Sequence, residues 1–258
     1  MWSKAKQQLS SNVLENITLL KMIDTYGSKL GCTVLERDSS WGLLLSLPVE
    51  FSSYDRKTYP EAESVYMLAG TDNRLLERLL DDPPIPKKPA VFKVQRNAYK
   101  QLLERKFKLA GIRSFYSYSC LEPFPGQSPD EVIAWDTLQE ELLPMWLSNG
   151  YELGEIEQLF AHGARSYSFY TDGKPASTCI VFRNYGRVWE VGAVHTAEEY
   201  RGNGYAKKVV QAAGNGLLSR NLIPRYQVED RNRPSVLLAE SLGLTWLVTL
   251  EHLYWAGA

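Results

Sequence analysis

An α/β (α+β) fold in two similarly laid-out halves is what this sequence predicts, and three observations predict it. Short apolar or alternating runs recur between runs of helical period along the whole chain. The order in the first half is two early helices, three strands, helix, strand, helix, strand, and the second half repeats it with one loop of special chemistry. There a strand-like run, RVWEVGAVHT (187–196), feeds a glycine loop, EYRGNGYAKKVV, that opens a helix.

Taken in order, residues 3–30 read as helical. Strand-like runs follow at CTVLERD (32–38), WGLLLSLP (41–48) and SVYMLAG (64–70), then a helix at NRLLERLLDD (73–82). After the proline-rich break PPIPKKP come a strand at 90–95, a helix at 97–107 and a strand at 112–119. In the second half, helices at 131–147 and 153–162 precede a strand at 166–172 and a turn at Gly173. Strands at 176–183 and 187–196, a helix from 204, a strand at 224–230, a helix at 232–242 and a strand at 245–255 complete the chain. Pro, Gly, Ser and Asp cluster in LEPFPGQSPD (121–130), which sets the expected division into domains 1–125 and 126–258.

The glycine loop is an anion cradle by construction. Glycine lets the backbone approach a ligand, and the first free N–H groups of the helix point at it with the positive end of the helix dipole. Lys207 and Lys208 fall in the first helical turn, where cations oppose that dipole unless an anion sits at the loop. Two solvated lysines on an exposed turn are the bland alternative. Gly202 and Gly204 begin a G-x-G-x-x-G pattern, but Lys207 occupies the third glycine position, so a dinucleotide fingerprint is poorly met, and no nucleotide P-loop run exists.

Arg201-x-x-Gly204-x-Ala206 resembles the acyl-CoA pyrophosphate loop, R/Q-x-x-G-x-G/A, of the GNAT superfamily of N-acyltransferases. Glu190 stands eleven residues before Arg201, where several members carry a general-base glutamate. NRPSVLLAESLGL (232–244) resembles the family's N-x-x-A-x-x-L-Y-x-x-x-G-F helix, with Asn232 and Gly243 in place. Ser235 replaces the usual alanine there, and Ala239 stands where many members have the tyrosine that protonates the leaving thiolate. The resemblance implies two GNAT-like domains, each a mixed, mostly antiparallel sheet flanked by helices. The first is degenerate, because its corresponding turn, AGTDNRLLERLL, offers an N-cap candidate in Thr71 or Asp72 but no R-x-x-G-x-G/A, and an acidic cap there would repel phosphate; the tandem layout is similar to that of glycine N-acyltransferase-like proteins.

What the resemblance implies for the site is specific. Arg201, Gly202, Asn203, Gly204, Tyr205 and Ala206 would hold the pyrophosphate, and Val194, His195 and Thr196 would pair with the pantetheine arm and polarise the thioester carbonyl. Asn232 would bond the cofactor, though it is also a good helix cap. Glu190 is the expected base, with a strand glutamate that faces solvent or pairs with an arginine such as Arg187 as the plainer reading; His195 competes by virtue of its ordinary pKa of about 6.5.

Composition bounds the rest. A chain of 258 residues, 44% hydrophobic and 12% aromatic, can bury a sizeable core. A net charge of -1 argues against nucleic-acid binding by phosphate neutralisation. Cys32, Cys120 and Cys179 match neither a disulfide framework nor a zinc site, so no metal is expected and the thiols are expected reduced, in a cytoplasm. No run approaches the roughly 18 apolar residues of a membrane span. Gly214 and Gly216 are read as close-packed glycines within a helix or as a weak end of it, and Cys179 as a buried thiol. The expected activity is acyl transfer from acetyl-CoA, or another acyl-CoA, to a small amine or amino acid; the alternative is a catalytically idle acyl-CoA-binding or regulatory module.

Overall fold

In the computed structural model, which describes residues 2–81, 85, 87–124 and 131–258, the chain divides into two units: Met1–Phe115 with Val248–Ala258, and Tyr116–Leu247. The joint expected at 121–130 lies partly outside the described residues, as do residue 82 of the expected helix and part of the proline-rich break.

Helices α1 (Trp2–Leu9) and α2 (Val13–Tyr26) lead into β1 (Gly31–Arg37) and β2 (Ser40–Pro48), then α3 (Ser53–Thr58) and β3 (Ser64–Gly70). Next come α4 (Asn73–Asp81), β4 (Ala90–Val94), α5 (Asn97–Glu104) and β5 (Leu109–Ser119). The chain continues through β6 (Val132–Trp135), α6 (Leu143–Ser148), α7 (Leu153–Ala161), β7 (Arg165–Thr171) and β8 (Lys174–Tyr185). It ends with β9 (Val188–Thr196), α8 (Tyr205–Leu218), β10 (Ile223–Glu229), α9 (Arg233–Ser241) and β11 (Thr245–Trp255).

Three expectations need correcting. The helix expected from 131 begins only at α6, because Val132, Ile133 and Trp135 have strand character and pair antiparallel with Ser166–Phe169 of β7. Helix α3 was not foreseen; Ser52 caps it by accepting from Asp55 N at 3.1 Å and donating to Asp55 Oδ2 at 2.7 Å. The contacts also divide the chain differently from 1–125 and 126–258, since Glu251–Trp255 of β11 pair with Val94–Ala90 of β4 and so belong to the first unit.

Within the first unit the strand order is β1-β2-β3-β4-β11; the β3/β4 pair is parallel and the others are antiparallel. Helix α4 makes the parallel crossover and buries Leu75, Leu76, Leu79 and Leu80 in one stripe. Within the second unit the order is β10-β9-β8-β7-β6, and only β9/β10 are parallel. Helix α8 crosses between them and buries Val209, Val210, Ala213 and Leu217 against Cys179, Val181 and Val191. Helices α6 and α7 cover the opposite face through Trp146 and Ile156, packed with Ile180 and Ala193. Gly214 and Gly216 pack as closely as expected: a Cβ on Gly216 would sit 2.1 Å from the Tyr167 hydroxyl oxygen.

The first unit also buries charge. Lys93 Nζ lies 2.6 Å from Asp55 Oδ1, and the neighbouring His252, 3% exposed, bonds the Tyr59 hydroxyl through Nδ1. Burial first, then the Lys93 and Arg113 charges, pushes the His252 pKa down to about 2. The unfolded chain therefore binds a proton near pH 6.5 that the folded unit refuses, so stability present above that pH is lost as pH falls, by up to about 1.4 kcal/mol per pH unit. We expect the melting temperature of the wild type to drop between pH 7 and pH 5, and to drop less in His252→Gln. Equal slopes would show that this histidine does not set the acid sensitivity.

Candidate functional site

Strands β9 and β10 pair only at Val188/Ile223, Trp189/Pro224 and Glu190/Arg225, after which they run on to Thr196 and Glu229 without pairing each other. The result is a fork whose closed end is the Glu190/Arg225 pair. A bulge sharpens it. The β8/β9 register steps from Thr178/His195 to Ile180/Gly192, one residue more on β9 than on β8, and Ala193 takes a φ of 50° to absorb it. A left-handed non-glycine residue costs on the order of 1 kcal/mol or more, and such strain concentrates at functional sites.

A cleft of about 720 Å³ fills the fork, within the size range of small-molecule sites. Val194, His195 and Thr196 line it from β9, Arg201, Gly202, Gly204, Tyr205 and Ala206 from the loop and α8, and Asn232 from α9. Asn203 is the one expected loop residue that does not; its Nδ2 ties the loop together by donating to Tyr200 O at 3.1 Å. Gly202 and Gly204 have φ of 83° and 76°, no side chain caps α8, and the residues that start it, Gly204 to Lys207, line the cleft. Lys207 lines the cleft, whereas Lys208 turns away to Glu131, 2.6 Å from Nζ. Asn232 caps α9, its Oδ1 accepting from Ser235 N at 3.3 Å, and it also lines the cleft.

Glu190 lies at the closed end of the fork, 7% exposed and outside the cleft lining. It does pair with an arginine, though with Arg225 at 2.8 Å, since Arg187 is spent on Asn221. Its Oε2 also accepts from Asn184 Nδ2 at 2.7 Å, while Oε1 has no hydrogen-bond partner among the described residues. His195 is half-buried, and burial, then the Arg201 charge, lowers its pKa, so the ring stays neutral at neutral pH. Cys179 is fully buried beneath α8, its thiol pushed up by burial.

Several cleft residues carried no sequence signal. Asn149 follows α6 and donates from Nδ2 to Val194 O at 3.2 Å, yet SNGY reads as an ordinary turn. Tyr226, Gln227 and Glu229 line the β10 side of the fork, where the sequence shows only a strand.

The first unit contains a similar fork, filled by its own side chains. Parallel pairing of β3 and β4 ends at Met67/Lys93. Beyond it, the Tyr99 hydroxyl accepts from Gly70 N at 3.0 Å and donates to Gly70 O at 2.9 Å. Tyr99 is the third residue after its helix's N-cap, Arg96, as Ser235 is after Asn232. At the start of α4, Asp72 Oδ1 accepts from Arg74 N at 2.8 Å, placing a built-in anion where α8 has none. Of the two cap candidates, Thr71 and Asp72, it is Asp72 that caps α4, while the Thr71 hydroxyl accepts from Trp41 N at 3.0 Å.

Residues 132–244, which include the whole cleft lining, match the Acetyltransferase (GNAT) family. Solved structures agree in fold. An acetyltransferase of the GNAT family from Colwellia psychrerythraea superposes with a TM-score of 0.59 at 12% identity, over 95% of this chain and 97% of that one. A GCN5-related N-acetyltransferase from Kribbella flavida gives 0.54 at 14% identity, over 95% of each chain, and one from Sphaerobacter thermophilus gives 0.51 at 11%, over 83% of this chain and 76% of that one. No curated protein sequence matches the chain. The family match supports acyl transfer from an acyl-CoA at that level of generality. Among the described residues no three His, Cys, Asp or Glu side chains gather into a metal-binding group, and no helix is long and apolar enough to cross a membrane.

Proposed function

We propose that the second unit is an acyl-CoA-dependent N-acyltransferase that moves an acetyl or other acyl group to the primary amine of a small molecule or amino acid, directly within a ternary complex. The observation that carries this reading is the open fork ending at an uncapped, glycine-started helix. The α8 N–H groups, Arg201 and Lys207 supply the positive field for a pyrophosphate. The β9 backbone at 191–196, paired with β8 but not with β10, supplies hydrogen-bonding groups on its β10 side for an amide-bearing arm and for the thioester oxygen. With the phosphate end at α8 and the arm in the fork, the thioester falls near the closed end, beside Glu190.

A protonated amine is no nucleophile, so a base must take its proton. In this reading Oε1 of Glu190 takes it, directly or through water, while Arg225 and Asn184 hold Oε2 and fix the carboxylate. His195, neutral and further along β9, ranks second. The first unit is read as a degenerate copy, with Tyr99 and Asp72 standing in for arm and phosphate.

Titration calorimetry with acetyl-CoA, CoA and NADH tests the ligand, and an amine screen tests turnover. Glu190→Gln is expected to lower kcat by about 10²- to 10⁴-fold while acetyl-CoA affinity persists. A second reading, an idle acyl-CoA-binding module, is favoured by Ala239, which is wholly buried where a tyrosine acid would stand. Binding without turnover in either form would select it, and NADH binding without CoA binding would overturn both.

A further inference from the structure

Ala239 leaves the departing thiolate without the expected partner, and the cleft offers another hydroxyl. Tyr226 is the first residue of β10 beyond the Glu190/Arg225 pair, so it stands at the mouth of the closed end of the fork. It lines the cleft, is 4% exposed, and packs in the same cluster as Ala239. The other cleft tyrosines lie elsewhere: Tyr200 and Tyr205 belong to the loop and the start of α8, and the Tyr205 ring is stacked on Phe169 at 4.4 Å. The Ser235 side chain acts on the Tyr226 hydroxyl to lower its pKa, against the larger effect of burial.

We propose that the Tyr226 hydroxyl is the hydrogen-bond donor that holds the departing thiolate, a role that rests on the acyl-CoA reading of the cleft. The amine nitrogen bonds to the carbonyl carbon, and the C–S bond breaks with its electron pair on sulfur. The amine proton goes to the base. Tyr226 stabilises the thiolate without surrendering its own proton, and the sulfur is protonated from water as CoA departs. Burial raises the Tyr226 pKa to about 12, above that of a thiol near 8.5, so the phenol remains a donor while the sulfur is anionic.

Binding tests this without any acceptor. CoA and desulfo-CoA are titrated into the wild type and Tyr226→Phe at pH 7 and pH 9. Held by a charge-assisted bond, CoA should gain about tenfold over desulfo-CoA at pH 9 in the wild type, and the gain should vanish in Tyr226→Phe while desulfo-CoA affinity stays unchanged. A wild-type ratio near one at both pH values, or the same gain in Tyr226→Phe, overturns the assignment and leaves the acyl-CoA reading standing. If the wild type binds neither compound, the acyl-CoA reading fails, and this inference with it.

Discussion

Gly204→Asp is expected to weaken acetyl-CoA and CoA binding by roughly 100-fold or more, because it sets a carboxylate where the proposed reading puts the pyrophosphate, and like charges in contact cost several kcal/mol. The backbone adds to this: at a φ of 76° a residue with a Cβ is strained by about 1–2 kcal/mol. The fold should survive, since aspartate is also a good helix cap, the role Asp72 already plays at α4. Calorimetry would then report lost binding with a melting temperature near that of the wild type. Unchanged affinity would remove the loop from the binding site.

Ser235→Tyr should have an effect of similar size for a different reason. Tyr99 shows what a tyrosine three residues past the N-cap does in such a fork: its hydroxyl takes both backbone groups of Gly70. A tyrosine on α9 would meet the β9 edge in the same way, competing with the ligand arm while leaving the phosphate loop intact. We expect a loss of roughly 100-fold in acyl-CoA affinity, about 2.7 kcal/mol, with the ligand-free protein still folded. Affinity within threefold of the wild type would show that Tyr99 is ordinary core packing and not a filled copy of the cleft.

Much of this was legible in the sequence because local chemistry set it. The β3 segment SVYMLAG forms where its β-branched and aromatic run predicts, and the glycines at 202 and 204 take the positive φ that the loop pattern requires. Of the two lysines in the first turn of α8, Lys207 lines the cleft and bonds Ser241 O at 2.8 Å, whereas Lys208 pairs with Glu131. What stayed hidden depends on partners distant in sequence. Residues 132–135 are strand because β7 offers an edge to pair with. Glu190 is fixed by Arg225 across a parallel pair, and Asn149 meets Val194 from a turn of no distinctive composition. The fork itself is invisible in the letters, since it consists of hydrogen bonds that two strands do not make.

That β9 offers the cleft its main chain has an evolutionary consequence. Backbone amides are common to every residue type, so on the acyl-CoA reading this side of the cleft places little constraint on which side chains line it, and sequences can drift far while the shape is retained. On the same reading, the Tyr99 hydroxyl of α5 and the Asp72 carboxylate at α4 are what close the first unit's fork, so that point mutation at two such places would suffice to retire or recruit a cleft without a new architecture.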